Sequence, residues 1–161
     1  MELVVVFPLR SGEVLLGRKK PRTELNYENL GEGLWNGFGG HVEKGSSPEE
    51  TAIEELFDET GKGLCCKQKD LQAVAQFTIH SPKREDITLH VYLVTEFSGE
   101  ARESEEMIPQ WFAPDQLPTE RWKSDDVWLN RILAGEKLIG EIWFKPDDEL
   151  DHSLIIPWQK D

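Results

Sequence analysis

The chain has 161 residues and a formal net charge of −13 at pH 7. This length predicts one compact domain, residues 1–161, that buries its own core, and the negative charge excludes general binding of polymeric nucleic acid, which needs basic patches. The cysteines, Cys65 and Cys66, are adjacent, which excludes a conventional disulfide framework. Residues 1–7 have no basic leader and too short an apolar run for a signal peptide or membrane span. We therefore expect a cytoplasmic monomer without membrane association.

Apolar runs bounded by turn residues predict a mixture of strands and helices. In chain order, the predicted strands are residues 3–9, 13–17, 71–80, 87–97, a strand at Trp111-Phe112, and residues 138–145. A first helix is predicted to end at Gly61, and a second is predicted to cover residues 126–134. Residues 19–33 are predicted to form a polar, irregular loop. Strands mixed with two helices indicate an α+β fold.

Local signals fix the first helix closely. Ser47 is suited to the N-cap and Pro48 to the first helical position, while Glu50 completes a possible capping box. At the other end, Gly61 is placed to adopt the left-handed conformation that closes a helix. The helix should therefore begin after Ser47 and end at Gly61.

This helix carries three acids on one face. Glu55, Asp58 and Glu59 stand at positions i, i+3 and i+4, so their carboxylates lie within a few ångströms of one another. A solvated acidic face would explain the acids alone. The glycine-rich segment 37–40 before the helix favours a different interpretation, because small glycines let phosphates approach the backbone and carboxylates are hard ligands for divalent cations. The pattern predicts a metal site that holds a polyphosphate.

Residues 40–62 resemble the signature of the Nudix hydrolase family, G-x5-E-x7-R-E-U-x-E-E-x-G-U, in which U is apolar. Glu55, Glu59 and Gly61 match it, and Asp58 replaces a glutamate. The chain departs from the signature at three other positions, listed here with the family residue: Ser46 for glutamate, Glu54 for arginine and Lys62 for an apolar residue. Since the first two form a scaffold brace in the family, we interpret the brace as replaced and the metal face as retained.

The resemblance covers most of the chain and narrows the branch. Matching segments occur in the same order in the MutT-homologue enzymes; they are residues 15–20, 34–40, 103–107, 111–112, 125–126 and 138–144. What the resemblance implies is an α/β/α sandwich with a mixed β-sheet between helices. It also implies Mg²⁺-dependent hydrolysis, with Mn²⁺ as an alternative metal, of oxidised purine nucleoside triphosphates such as 8-oxo-dGTP to a monophosphate and pyrophosphate. Such an enzyme removes damaged nucleotides from the precursor pool.

Carried over by position, the resemblance assigns roles to individual residues. The implied metal ligands are Gly39 (through its carbonyl), Glu55, Asp58, Glu59 and Glu106. Glu55, Glu59 and Glu106 are the implied catalytic residues, with either Glu59 or Glu106 as the general base. The implied substrate contacts are Lys19, Asn36, Phe38, Gly39, Gly40, Asp125 and Asp126.

Structural explanations compete with several of these roles. Lys19 fits a solvated loop, Asn36 a turn, and Asp125 the N-cap of the following helix. Lys123 occupies the position at which related enzymes stack a tryptophan on the base, with Trp122 one residue earlier. Tyr27, in the long 19–33 loop, would supply an aromatic wall. Two further hypotheses for the function stay open. The chain would be a Nudix enzyme that acts on another nucleoside diphosphate derivative, or a catalytically decayed domain that only binds nucleotides.

Overall fold

A computed structural model describes residues 1–21 and 32–159. Its strands are β1 (Glu2–Arg10), β2 (Glu13–Lys19), β3 (Trp35–Asn36), β4 (Phe38–His41), β5 (Leu71–Ser81), β6 (Arg84–Val94), β7 (Met107–Phe112), β8 (Leu138–Phe144) and β9 (Leu150–Pro157). Its α-helices are α1 (Pro48–Glu59) and α2 (Leu129–Leu133), and 3₁₀ turns occupy Gln68–Asp70 and Lys123–Val127. No helix in the described ranges has the length and apolar character needed to cross a membrane.

The strands form one mixed sheet in the order β3-β2-β1-β6-β5-β8-β9, with β4 paired to β1 and β7 paired to β2. The β1–β6 and β5–β8 pairs are parallel, and the remaining pairs are antiparallel. Because successive side chains of a strand face opposite sides, β1 contributes to two cores. Val4 and Val6 pack with α1 residues such as Leu56, whereas Phe7 packs with α2 residues such as Ile132. The predicted sandwich, with a mixed sheet between helices, is confirmed.

The local signals placed α1 correctly. Ser47 is the N-cap, its Oγ accepts a hydrogen bond from the Glu50 N–H at 3.1 Å, and Pro48 is the first helical residue. Gly61 closes the helix: it has φ +70°, and the Gly61 N–H donates to the Asp58 carbonyl at 3.2 Å. The C-terminal acids of α1 are therefore held at a fixed place over β4.

Elsewhere the elements differ from the sequence predictions. The strand predicted at 87–97 is β6, which begins earlier because the β5–β6 turn is only residues 82–83, and which ends earlier, at Val94. The helix predicted at 126–134 is divided at Trp128, whose φ of −142° and ψ of −26° interrupt it. The Trp128 ring is fully buried, 6.0 Å from the Phe7 ring and 5.4 Å from the Phe77 ring. Burial of this ring overrides the helical pattern.

The long polar loop was predicted at residues 19–33, and most of it, including Tyr27, lies outside the described residues. Its two ends are joined by backbone hydrogen bonds. The Lys19 N–H donates to the Leu34 carbonyl at 3.0 Å, and the Gly33 N–H donates to the Lys19 carbonyl at 2.8 Å. The loop therefore leaves and returns at one point between β2 and β3.

Candidate active site

The site is built where β4 passes under the end of α1. The Gly39 N–H donates to Glu59 Oε1 at 2.8 Å, and the Glu59 side chain is buried. Gly39 permits this approach because it has no Cβ: a methyl group there would lie 1.8 Å from the Val4 carbonyl oxygen of β1. Close contact between β4 and β1 thus aims a backbone N–H at the buried acid.

Glu55 lies one turn before Glu59 and covers the next glycine. A Cβ on Gly40 would lie 3.3 Å from Glu55 Cδ and 3.4 Å from Glu55 Oε1. Asp58, on the same helix, is exposed at the edge of the acidic face. The three α1 acids thus present one buried, one half-buried and one exposed carboxylate next to β4.

The fourth acid, Glu106, reaches this cluster from the loop before β7. Its backbone is fixed twice: the Lys20 N–H donates to the Glu106 carbonyl at 2.8 Å, and the Glu106 N–H donates to Ser104 Oγ at 3.2 Å. A hydrogen bond joins the Glu59 and Glu106 side chains. The structure therefore places Glu106, which the resemblance assigned to the site, beside Glu55 and Glu59 of α1.

Crowding of these carboxylates changes their acidity. Burial, followed by the negative charges of Glu55 and Glu106, raises the pKa of Glu59 to about 9, although the Gly39 N–H opposes this shift. Burial together with the charges of Glu106, Asp58 and Glu54 raises the pKa of Glu55 to about 7. Each extra negative charge here is unfavourable, so the cluster has affinity for protons or for cations.

The donor set fits a hard divalent cation, since it consists of carboxylate oxygens with backbone carbonyls nearby. In the arrangement of residues 1–21 and 32–159, no three acidic, histidine or cysteine side chains converge closely enough to form a metal-binding group. Glu59 instead accepts a hydrogen bond from the Gly39 N–H and is hydrogen-bonded to the Glu106 side chain. Metal binding would therefore require the Glu59–Glu106 proton to leave.

A second set of predicted contacts lies in β3 and in the 3₁₀ turn before α2. The Asn36 Oδ1 accepts a hydrogen bond from the Gly37 N–H at 2.8 Å, which orients the side-chain amide. Asp125 lies in the 3₁₀ turn before α2 and is only 3% exposed. Burial and the neighbouring Asp126 raise its pKa to about 7, against the lowering effects of Arg121 and Ser124. Asp125 is not the N-cap of α2, since that position belongs to Trp128.

The other predicted contacts are distributed as follows. The Phe38 side chain is fully buried in the α1-side core, so only its backbone can reach a substrate. Lys19 is half-buried at the end of β2, paired with Met107 and thus next to Glu106. Lys123 is exposed and forms an ion pair with Glu149 at 3.0 Å, while Trp122 is half-buried.

Sequence reasoning missed one residue beside this second set, Arg121. Its side chain is 12% exposed and its Nη2 donates to Asp126 Oδ1 at 3.2 Å. An arginine shortly before an aspartate pair was the available signal. That signal is weak, because an exposed ion pair at the same spacing has the same sequence pattern.

Known proteins share this architecture. A NUDIX domain model matches residues 2–132. The chain is 36% identical over 152 residues to an oxidized purine nucleoside triphosphate hydrolase of Mus musculus, covering 93% of this chain and 91% of that protein. It is 32% identical over 154 residues to the protein of the same name from Danio rerio, covering 94% of this chain and 92% of that protein. A crystal structure of a mutator MutT protein from Bacillus halodurans superposes with a TM-score of 0.75 at 23% identity, over 96% of each chain.

Proposed function

We propose that this chain, which belongs to the NUDIX family, hydrolyses oxidised purine nucleoside triphosphates to the monophosphate and pyrophosphate. The observation that carries this proposal is the buried Glu59 held by the Gly39 N–H, with Glu55 and Glu106 crowded beside it. The substrate class is supported by the names of the mouse and zebrafish relatives, which align with more than nine-tenths of the chain. We further infer that Mg²⁺ is the metal used, with Mn²⁺ as an alternative.

The carboxylates of Glu55, Asp58, Glu59 and Glu106 would hold the metal, together with the Gly39 carbonyl. A divalent metal held there would neutralise the phosphates and would lower the pKa of a water molecule bound to it. Glu59 and Glu106 lie side by side, so once the proton between them has left, either one would be able to accept the proton of the attacking water as general base. The Gly39 N–H keeps the Glu59 carboxylate in place during this transfer.

The two ends of the site have a spacing that suits a nucleotide. Asn36 and Gly39 are three residues apart on nearly continuous strands, which corresponds to about 10 Å. A polyphosphate at Gly39 would therefore leave the base near Asn36. Lys19, which lies beside Glu106, would contact the phosphates, and Asp125 with Asp126 would contact the base edge.

Pyrophosphate release from 8-oxo-dGTP with Mg²⁺ tests this proposal. We expect Glu59→Gln to lower kcat by at least about 100-fold, because the variant removes an anionic ligand from a clustered site. Glu50→Gln is the matched control, since Glu50 is an exposed acid on the same helix. Turnover by Glu59→Gln equal to the control, or undiminished turnover in excess chelator, would contradict the assignment.

One observation favours a second candidate, a domain that binds nucleotides without hydrolysing them. Glu54, where the family signature has arginine, adds a negative charge that raises the pKa of Glu55. A panel of normal and oxidised triphosphates, dinucleotides and nucleotide sugars, each with Mg²⁺, separates the possibilities. Nucleotide binding by calorimetry without any turnover would favour the binding domain, and faster hydrolysis of sugar nucleotides would favour another Nudix activity.

A further inference from the structure

Arg121 is buried more completely than its charge would lead us to expect. Two of its three nitrogens are satisfied: Nε donates to the Pro118 carbonyl at 2.9 Å and Nη2 donates to Asp126 Oδ1 at 3.2 Å. The third, Nη1, is buried and has no hydrogen-bond partner among the described residues. A charged donor left in this state costs about 1–3 kcal/mol or more, so it needs an explanation.

Backbone contacts place Arg121 beside the predicted base contact Asn36. The Trp35 N–H donates to the Glu120 carbonyl at 2.7 Å, and Trp35 forms an isolated parallel bridge with Arg121. Trp35 is the residue before Asn36 in β3. The segment that carries Arg121 therefore runs along β3 at the base end of the site.

Asp125 supplies a second buried atom in the same condition. Its side chain is 3% exposed, and its Oδ2 has no hydrogen-bond partner within residues 1–21 and 32–159. Arg121 is close enough to lower the pKa of Asp125, against the burial that raises it. One short segment thus buries an unpaired donor and an unpaired acceptor, which is a combination that a ligand with a complementary edge would satisfy.

We propose that Arg121 determines base specificity, donating from Nη1 to a purine carbonyl while Asp125 Oδ2 accepts from the adjacent ring N–H. This proposal rests on the proposed function. A guanine-type base has a carbonyl at C6 beside the N1 hydrogen and fits this pair. An adenine-type base has an amino group at C6 and no hydrogen at N1. It therefore opposes a donor with a donor and leaves the acceptor unpaired, and guanidinium cannot adapt because it only donates.

The matched substrates 8-oxo-dGTP and 8-oxo-dATP, which have the same oxidised five-membered ring, measure this preference. We expect the wild type to favour 8-oxo-dGTP in kcat/KM by about tenfold or more. Arg121→Gln should lower that ratio by about tenfold, because its amide offers an acceptor as well as donors. Arg121→Lys keeps a charged donor and should keep most of the preference. Arg131→Gln is the control, since Arg131 is exposed and pairs only with Glu136 among the described contacts.

An unchanged ratio in Arg121→Gln, or equal losses in the Gln and Lys variants, would overturn the proposal. Calorimetry with 8-oxo-dGMP and 8-oxo-dAMP separates this failure from failure of the proposed function, because it needs no turnover. Preferential binding of 8-oxo-dGMP that is lost in Arg121→Gln supports the role of Arg121, even if no triphosphate is hydrolysed. Hydrolysis of both triphosphates at equal rates, or binding of neither monophosphate, contradicts it.

Discussion

Replacement of Gly39 by alanine should damage both the fold and the chemistry. The added Cβ would lie 1.8 Å from the Val4 carbonyl oxygen and 2.7 Å from the Val4 carbonyl carbon. Both are backbone atoms of a central strand, so β4 would have to move away by roughly 1.5 Å before the contact became an ordinary one. That displacement also breaks the 2.8 Å hydrogen bond from Gly39 to Glu59.

The expected cost combines two effects. Overpacking against backbone costs about 1–3 kcal/mol, and loss of a hydrogen bond to a buried acid adds about 1–2 kcal/mol. We therefore expect the free energy of unfolding to fall by about 2–5 kcal/mol, or Tm by about 4–20 °C for a chain of this size. Urea denaturation in chelator measures the stability, and pyrophosphate release measures the activity.

Gly40→Ala provides the comparison, because its Cβ would meet only the flexible end of Glu55, at 3.3 Å. Its stability should change by less than about 1 kcal/mol, while its activity falls because Glu55 is displaced. If Gly39→Ala were as stable as the wild type, the close approach of β4 to β1 would not be what fixes Glu59. Equal destabilisation by the two variants would refute the same reasoning.

Two further predictions concern pH. The pKa of Glu59 is raised from 4.5 to about 9, so in chelator its contribution to stability is full below pH 4.5 and is lost as the pH rises through about 9. Glu59→Gln should flatten this dependence of the urea midpoint on pH, and identical slopes for the variant and the wild type would contradict the prediction. Glu141, 2.9 Å from His80 Nε2, and Asp86, 3.0 Å from Nδ1, raise the pKa of His80 above 6.5. The contribution of His80 to stability is therefore full below pH 6.5 and is lost as the pH rises through the raised pKa. His80→Gln should abolish this part of the pH dependence of the urea midpoint, whereas His152→Gln, which leaves both carboxylates in place, should not.

The sequence could predict the elements that depend on local signals, and it missed those that depend on tertiary packing. Helix α1 followed from Ser47, Pro48 and Gly61, each of which acts within a few residues of itself. Strand β9 was missed because it has no alternating burial: Leu154 and Ile156 are 60% and 53% exposed. Pairing with β8 creates it, and that pairing is a tertiary property.

The site shows the same division. Helical spacing alone predicted that Glu55, Asp58 and Glu59 would share a face. Glu106 was assigned only through the family resemblance, because no local pattern connects a loop residue to a helix far away in the chain. Arg121 had neither kind of support, since its place depends on contacts with the Trp35 and Pro118 backbones. Residues of this kind are set by packing between segments.

The two ends of the site depend on different layers of the sandwich. Glu55 and Glu59 belong to α1, which packs on the Val4 and Val6 side of the sheet, whereas Asp125 precedes α2, which packs on the Phe7 side. The strands β3 and β4 join these ends. The residues that carry α1 and those that carry α2 thus pack in different hydrophobic cores. Under the proposed function, base preference would then change through the residues before α2 while the phosphate chemistry stays with α1, as expected where one fold supports several functions.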